Sequence, residues 1–128
     1  MTRVVEIYKE FTFEAAHRLA ELPPTHKCSR LHGHSFRVAV GIEGPVDDAL
    51  GWVVDFDEIK SAFRPLLEIL DHRYLNEIEG LSNPTSERIA IWIWDRLKGT
   101  LEHLSYVRLH ETCTSGCIYR GGDSLKSN

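Results

Sequence analysis

The chain is short of several things, and each shortage excludes a class of protein. No apolar run approaches the ~18 residues that a membrane-crossing helix needs. Basic residues do not outnumber acidic ones: 15 Lys and Arg stand against 19 Asp and Glu, a net charge of −4. Nucleic acids and anionic membranes favour net basic faces, so neither is an expected partner. Three cysteines are few, and odd in number, for a disulfide framework. The opening residues Met1–Glu6 soon meet charge and show no secretory h-region, so a cytoplasmic location is expected. No linker, repeat or low-complexity stretch divides the 128 residues. They suffice for a single domain with its own core, expected over residues 1–121, with a small polar tail at 122–128. What the chain does have in quantity is histidine, seven in all.

Periodicity gives two strands, two helices and two strands. In the first strand, roughly Val4 to Ala16, Phe11, Phe13 and Ala15 share one parity, which His17 continues, so they share one face. The second, roughly His34 to Glu43, alternates Phe36, Val38, Val40 and Ile42 with polar positions such as Ser35 and Arg37. The first helix is expected from Asp55 or Asp57, where Asp55 and Glu58 have capping-box spacing. Ile59, Phe63, Leu66, Leu67 and Leu70 give it an apolar stripe, and Pro65 is a candidate kink or break. The second helix is expected to start around Asn83-Pro84-Thr85-Ser86-Glu87 and to stop at Gly99. Its centre, Ile89 to Trp94, is apolar almost all round, which asks for cover on more than one side, for instance from another subunit. The last strands are expected at about Ser105–Thr112 and Gly116–Arg120. Strands flanking two helices argue for an α+β fold: an antiparallel four-stranded sheet with both helices on one face.

His32-Gly33-His34 is the sharpest local signal. In an extended segment both imidazoles point the same way, continuing the face of Phe36 and Val38. Gly33 between them would let backbone approach closely. His17 ends the apolar face of the first strand, which can pair antiparallel with the second. For the HxH pair alone, satisfied core histidines and a metal site are equally good readings. Three imidazoles on paired faces favour metal, and three protein ligands with an open fourth position is a catalytic zinc pattern. Iron or copper fits three imidazoles as well.

Other positions carry chemistry less sharply. Cys28 has basic neighbours in Lys27 and Arg30, a setting that suits a fourth ligand or an acid–base role; a buried small side chain is the plain alternative. Cys113 and Cys117 have neither zinc-knuckle nor thioredoxin spacing and read better as small residues of a tight hairpin. Asp71-His72 is either a helix-end pair or a carboxylate orienting a proton-moving imidazole. Glu111 shares the parity of Val107 and Leu109, and a carboxylate on an apolar face needs a partner. That partner is a core arginine or a ligand with a planar N–H fork, such as a pterin or guanine edge.

Taken together, Phe11-Thr12-Phe13-Glu14-Ala15-Ala16-His17, Cys28-x-x-x-His32-Gly33-His34, Leu70-Asp71-His72, Asn83-Pro84-Thr85-Ser86-Glu87 and Glu111-Thr112 resemble the 6-pyruvoyltetrahydropterin synthase family over about Phe11 to Gly121. The cysteine-to-HGH spacing and the stretch Glu111–Gly121 are similar to the bacterial branch that forms a 6-carboxy product. The resemblance implies a tunnelling fold, a homohexamer of two trimers and active sites at subunit boundaries. It implies Zn2+ on His17, His32 and His34, Cys28 as general base, and Asp71 and His72 as a proton relay. Glu111 would hold the pterin ring and join the relay, with Thr112 beside it. Lys27, Arg30 and Arg73 are candidates for a triphosphate, although each reads equally well as solvated charge. The implied reaction takes 7,8-dihydroneopterin triphosphate to 6-carboxy-5,6,7,8-tetrahydropterin, acetaldehyde and triphosphate, toward queuosine. The alternatives are a synthase that stops at 6-pyruvoyltetrahydropterin and a non-catalytic metal- or pterin-binding module.

Overall fold

Two long strands dominate, because their alternating apolar residues can be covered on one face. β1 (Val4–His17) and β2 (His32–Pro45) pair antiparallel along their whole length. The computed structural model describes residues 2–111 and 114–123. Phe13, Ala15 and His17 of β1 and Phe36, Val38, Val40 and Ile42 of β2 are buried on one face, as their parity predicts. The stacked rings of Phe13 and Phe36, centroids 4.9 Å apart, mark the middle of that face.

Helix α1 (Phe56–Leu70) lays Ile59, Phe63, Leu66 and Leu70 onto the sheet. Its cap is Asp55, whose carboxylate accepts from the Asp57 N–H at 2.9 Å. The helix runs through Pro65 without a break. Pro65 and Ser61, whose carbonyl loses its partner, are both on the exposed side, where water can replace the missing bond. Helix α2 (Ser86–Leu97) starts at Thr85, whose hydroxyl accepts from the Arg88 N–H at 3.2 Å, and ends at Lys98, beside the expected Gly99.

The apolar girth of α2 is mostly covered within the chain, which corrects the need for a second subunit there. Ile89, Ala90 and Ile93 are fully buried, and Trp92 nearly so, its indole N–H donating to the Glu79 carbonyl. Trp94 packs edge-on against Tyr119, centroids 5.5 Å apart. Ile91 faces outward, 37% exposed.

Between the helices lies a strand that periodicity does not show. β3 (Arg73–Tyr74) pairs in parallel with Ala15–Ala16, giving the sheet order β3-β1-β2-β4-β5 with β4 (Leu104–His110) and β5 (Gly116–Tyr119). The sheet is therefore five-stranded and mostly antiparallel, with the buried side chains gathered in one hydrophobic cluster. Thr112, Cys113 and residues 124–128 lie outside the described residues, and with them the expected end of the third antiparallel strand and most of the polar tail. No helix among the described residues is long and apolar enough to cross a membrane.

Candidate active site

The register of β1 on β2 decides where the histidines meet. His17 stands opposite His32, and His34 stands opposite Ala15, two pairs further in. All three rings lie at the same end of the core face, with centroids 4.6–5.2 Å apart. Gly33 is not demanded by close packing, contrary to expectation: a Cβ there would meet the Ala15 carbonyl at 3.5 Å, an ordinary contact.

Two of the rings are oriented from behind. His17 Nδ1 lies 2.8 Å from the Pro84 carbonyl, and His32 Nδ1 lies 2.7 Å from the Arg30 carbonyl. A carbonyl can only accept, so both Nδ1 atoms carry a proton, and in a neutral ring that leaves the lone pair on Nε2. His17 Nε2 is buried and finds no hydrogen-bond partner among the described residues. Burial pushes the His17 pKa down; the Pro84 bond and Glu111 oppose that, and His32 and His34 add to it. A neutral imidazole with a backbone-anchored Nδ1–H and an unused lone pair is a ready metal ligand.

A fourth group joins them. Glu111, one residue past β4, brings Oε1 to 3.3 Å from His34 Nε2 and 3.6 Å from His17 Nε2. Ser86, at the first turn of α2, donates its hydroxyl to Glu111 Oε2. The donor atoms of His17, His32, His34 and Glu111 all lie within 4.8 Å of one another, so these residues could hold a metal ion. The parity of Glu111 announces its face but not this meeting. Its neighbour His110 pairs with Arg37 across β2, which sets Glu111 against the histidine end, and that register is not written in either strand alone.

Cys28 sits on a 3₁₀ turn (Lys27–Ser29) just before β2 and is partly buried. The turn is tied to the residues that follow His17. The Leu19 N–H donates to the Cys28 carbonyl at 2.9 Å, and Arg18 Nε donates to the Ser29 carbonyl at 2.8 Å. Asn76 clamps Arg18 from both sides, accepting from its N–H at 2.9 Å and donating to its carbonyl at 2.7 Å. His26, for which sequence offers no role, accepts the Cys28 N–H on Nδ1. Arg18, His26 and Asn76 escape sequence reasoning, because each acts through bonds to backbone rather than through a motif of its own, and Ser86 is quoted in a motif without its bond to Glu111 being foreseen.

Asp71 and His72 form a separate pair at the β1 edge. His72 Nδ1 lies 3.0 Å from Asp71 Oδ2, while Asp71 Oδ1 accepts the Glu14 N–H at 2.9 Å. The Glu14 N–H is the first cause holding the Asp71 carboxyl below its ordinary range, with His72 adding to it. His72 has φ +58°, and its own N–H donates to the Glu14 carbonyl at 2.6 Å. A bulky residue in the left-handed region is strained, and such strain concentrates at functional sites. The imidazole is 79% exposed, with Nε2 free to face solvent or a partner. Both residues of this pair bond Glu14, and neither bonds Cys28 among the described residues. Lys27, Arg30 and Arg73 are exposed; Thr112 lies outside the described residues.

A cavity of about 250 Å3 opens beside Glu111, lined by Ser86, Glu87, Ser115, Gly116 and Cys117. The Cys117 thiol is pushed up by burial, then by Glu87 and Glu111. A larger groove of about 810 Å3, between Pro65, Tyr74, Trp92 and Arg96, includes none of the histidines or Glu111. Of the two, only the smaller is lined by Glu111.

Residues 6–122 match the family model described as 6-pyruvoyl tetrahydropterin synthase. A Synechocystis protein named 6-carboxy-5,6,7,8-tetrahydropterin synthase is 46% identical over 121 residues, covering 88% of this chain and 91% of its own length. A Drosophila melanogaster protein named 6-pyruvoyl tetrahydrobiopterin synthase is 34% identical, covering 86% of this chain and 76% of its own length. The structure of Caenorhabditis elegans 6-pyruvoyl tetrahydropterin synthase superposes with a TM-score of 0.86 at 29% identity, covering 94% of this chain and 97% of that one.

Proposed function

The chain belongs to the 6-pyruvoyl tetrahydropterin synthase family, an enzyme family, and on that premise we propose that it converts 7,8-dihydroneopterin triphosphate to 6-carboxy-5,6,7,8-tetrahydropterin. Acetaldehyde and triphosphate are the other products, and queuosine is the pathway served. The carrying observation is the convergence of three imidazoles at the end of a buried face, two of them held with lone pairs inward. The carboxy product is favoured over the pyruvoyl one by the Synechocystis relative and by the short Cys28-to-His32 spacing.

Zn2+ on His17, His32 and His34 would supply Lewis acidity to side-chain oxygens of the substrate, making adjacent C–H protons removable. Cys28, fixed at the mouth of β2, takes such a proton as general base. Asp71 stays ionised and accepts His72 Nδ1–H, which leaves Nε2 to exchange protons with the substrate. Glu111 offers two coplanar oxygens to the N–H fork of a pterin beside the cavity it lines. Thr112 follows in the same segment, and Lys27, Arg30 and Arg73 are the cations available to a triphosphate. A merely binding module would have no use for a strained His72 aimed by Asp71.

The assembly we propose is a homohexamer of two trimers in the cytoplasm. Its support is the open sheet: β1 is paired on its outer side only at Ala15–Ala16, and β5 closes the other end of the strand order. Val4, Val5, Tyr8 and Ile118 are exposed on these outer strands, and such edges invite another chain. His72 could then reach Cys28 of a neighbouring copy.

The second reading, a synthase that stops at 6-pyruvoyltetrahydropterin, has the Drosophila relative and the C. elegans structure behind it. Incubating zinc-loaded protein with dihydroneopterin triphosphate and analysing the products separates the two. A 6-carboxy product with acetaldehyde is expected; a pyruvoyl product without acetaldehyde would overturn the assignment.

A further inference from the structure

The position of Glu111 has a consequence for the metal centre that three histidines alone do not. His17 Nδ1–H is committed to Pro84, so His17 Nε2 is an acceptor. Glu111 Oε1, also an acceptor, faces it at 3.6 Å and faces His34 Nε2 at 3.3 Å. An imidazole lone pair and a carboxylate repel unless a cation lies between them. Both separations are also longer than the roughly 2.7–3.2 Å of an ordinary N–H···O bond. Zinc–ligand distances of about 2.0–2.2 Å give a coordination tetrahedron edges of about 3.3–3.6 Å. The separations of Oε1 from His17 and His34 match that edge, and the His32 donor completes the group within 4.8 Å. The other oxygen, Oε2, is held by Ser86, so the carboxylate is fixed with Oε1 inward.

We propose that Glu111 is a fourth, exchangeable protein ligand of the metal, bound through Oε1 in the substrate-free enzyme and released when a pterin takes the carboxylate. The inference rests on the reading of His17, His32 and His34 as the metal ligands. Its logic is competition for two oxygens. A planar N–H fork is held bidentately, with both oxygens. In the substrate-free arrangement Oε1 is turned to the imidazoles and Oε2 to Ser86. Oε2 has a second lone pair and can keep Ser86, but the Oε1 lone pair turned to the imidazoles must be given to the fork, which opens a coordination position as substrate arrives. Four protein ligands close a zinc site, whereas an open position marks a catalytic one. Glu111 would convert the first into the second.

The test is metal binding rather than turnover. Metal-free full-length chain is titrated with Co2+, whose visible spectrum reports its coordination, and with Zn2+ in competition with a chelator. Wild type is compared with Glu111→Gln, Glu111→Ala and His32→Ala. Both Glu111 variants should bind the same number of ions, at least about tenfold more weakly, with altered Co2+ spectra. Adding 7,8-dihydroneopterin should change the wild-type Co2+ spectrum and leave that of Glu111→Gln nearly unchanged. Wild-type affinity and spectrum in both Glu111 variants would overturn the proposal while leaving the three-histidine site standing, provided that His32→Ala has lost the ion. If His32→Ala binds as well as wild type, the metal centre itself is refuted, and the Glu111 proposal falls with it.

Discussion

In metal-free protein, folding stability should fall as the pH drops below about 6.5, with His17 as the main cause. The ring is fully buried, and desolvation, the largest influence on it, lowers its pKa from 6.5. Pro84 and Glu111 oppose the shift, while His32 and His34 reinforce it. The sign follows directly. Between the folded and unfolded pKa values the unfolded chain holds the proton and the folded chain does not. Stability is therefore fully present above the unfolded value of about 6.5 and is lost as pH falls toward the folded one. One proton bounds the slope at about 1.4 kcal/mol per pH unit. A chain of this length has an unfolding entropy of about 0.27 kcal/mol/K at its midpoint, so the midpoint should fall by up to about 5 °C per unit. Thermal unfolding followed by circular dichroism from pH 7.5 to 5, with chelator present, measures it. His17→Phe should flatten the curve. A wild-type midpoint that is constant or rises on acidification through this window would refute the reasoning.

Two further outcomes are expected. Cys28→Ala should keep zinc and pterin binding but lose turnover; full turnover would remove Cys28 as base, and lost zinc would make it a ligand instead. Gly41→Ala should destabilise by about 1–3 kcal/mol, because overpacking forces a neighbour to move. The new Cβ would collide with the Tyr106 ring, which must swing off the strand, and urea denaturation with Tyr106→Ala added should recover part of the loss.

The elements were legible where burial imposes a period. Phe13, Phe36, Val38 and Val40 alternate because one sheet face is dry, and Ile59, Phe63, Leu66 and Leu70 repeat because one helix face is. The histidine set was legible for the same reason, since His17, His32 and His34 merely continue those faces. β3 was not, because two residues have no period and their pairing with Ala15–Ala16 is made by backbone alone. The cover of Trp92 is not legible in the Ile89–Trp94 pattern, because the Glu79 carbonyl comes from a loop and the Arg96 guanidinium from its own helix. The parity of Glu111 asks for a partner, a core arginine or a ligand, but its approach to His34 depends on the β2–β4 register, a tertiary fact. Asn76 and Arg18, which hold the Cys28 turn, were invisible because one amide and one guanidinium carry no spacing signal.

Elemental analysis of purified wild type and His32→Ala tests the three-imidazole centre most directly. The account predicts stoichiometric zinc in the wild type and an empty site in the variant. Full zinc occupancy in His32→Ala, or none in a wild type purified with zinc present, would contradict it.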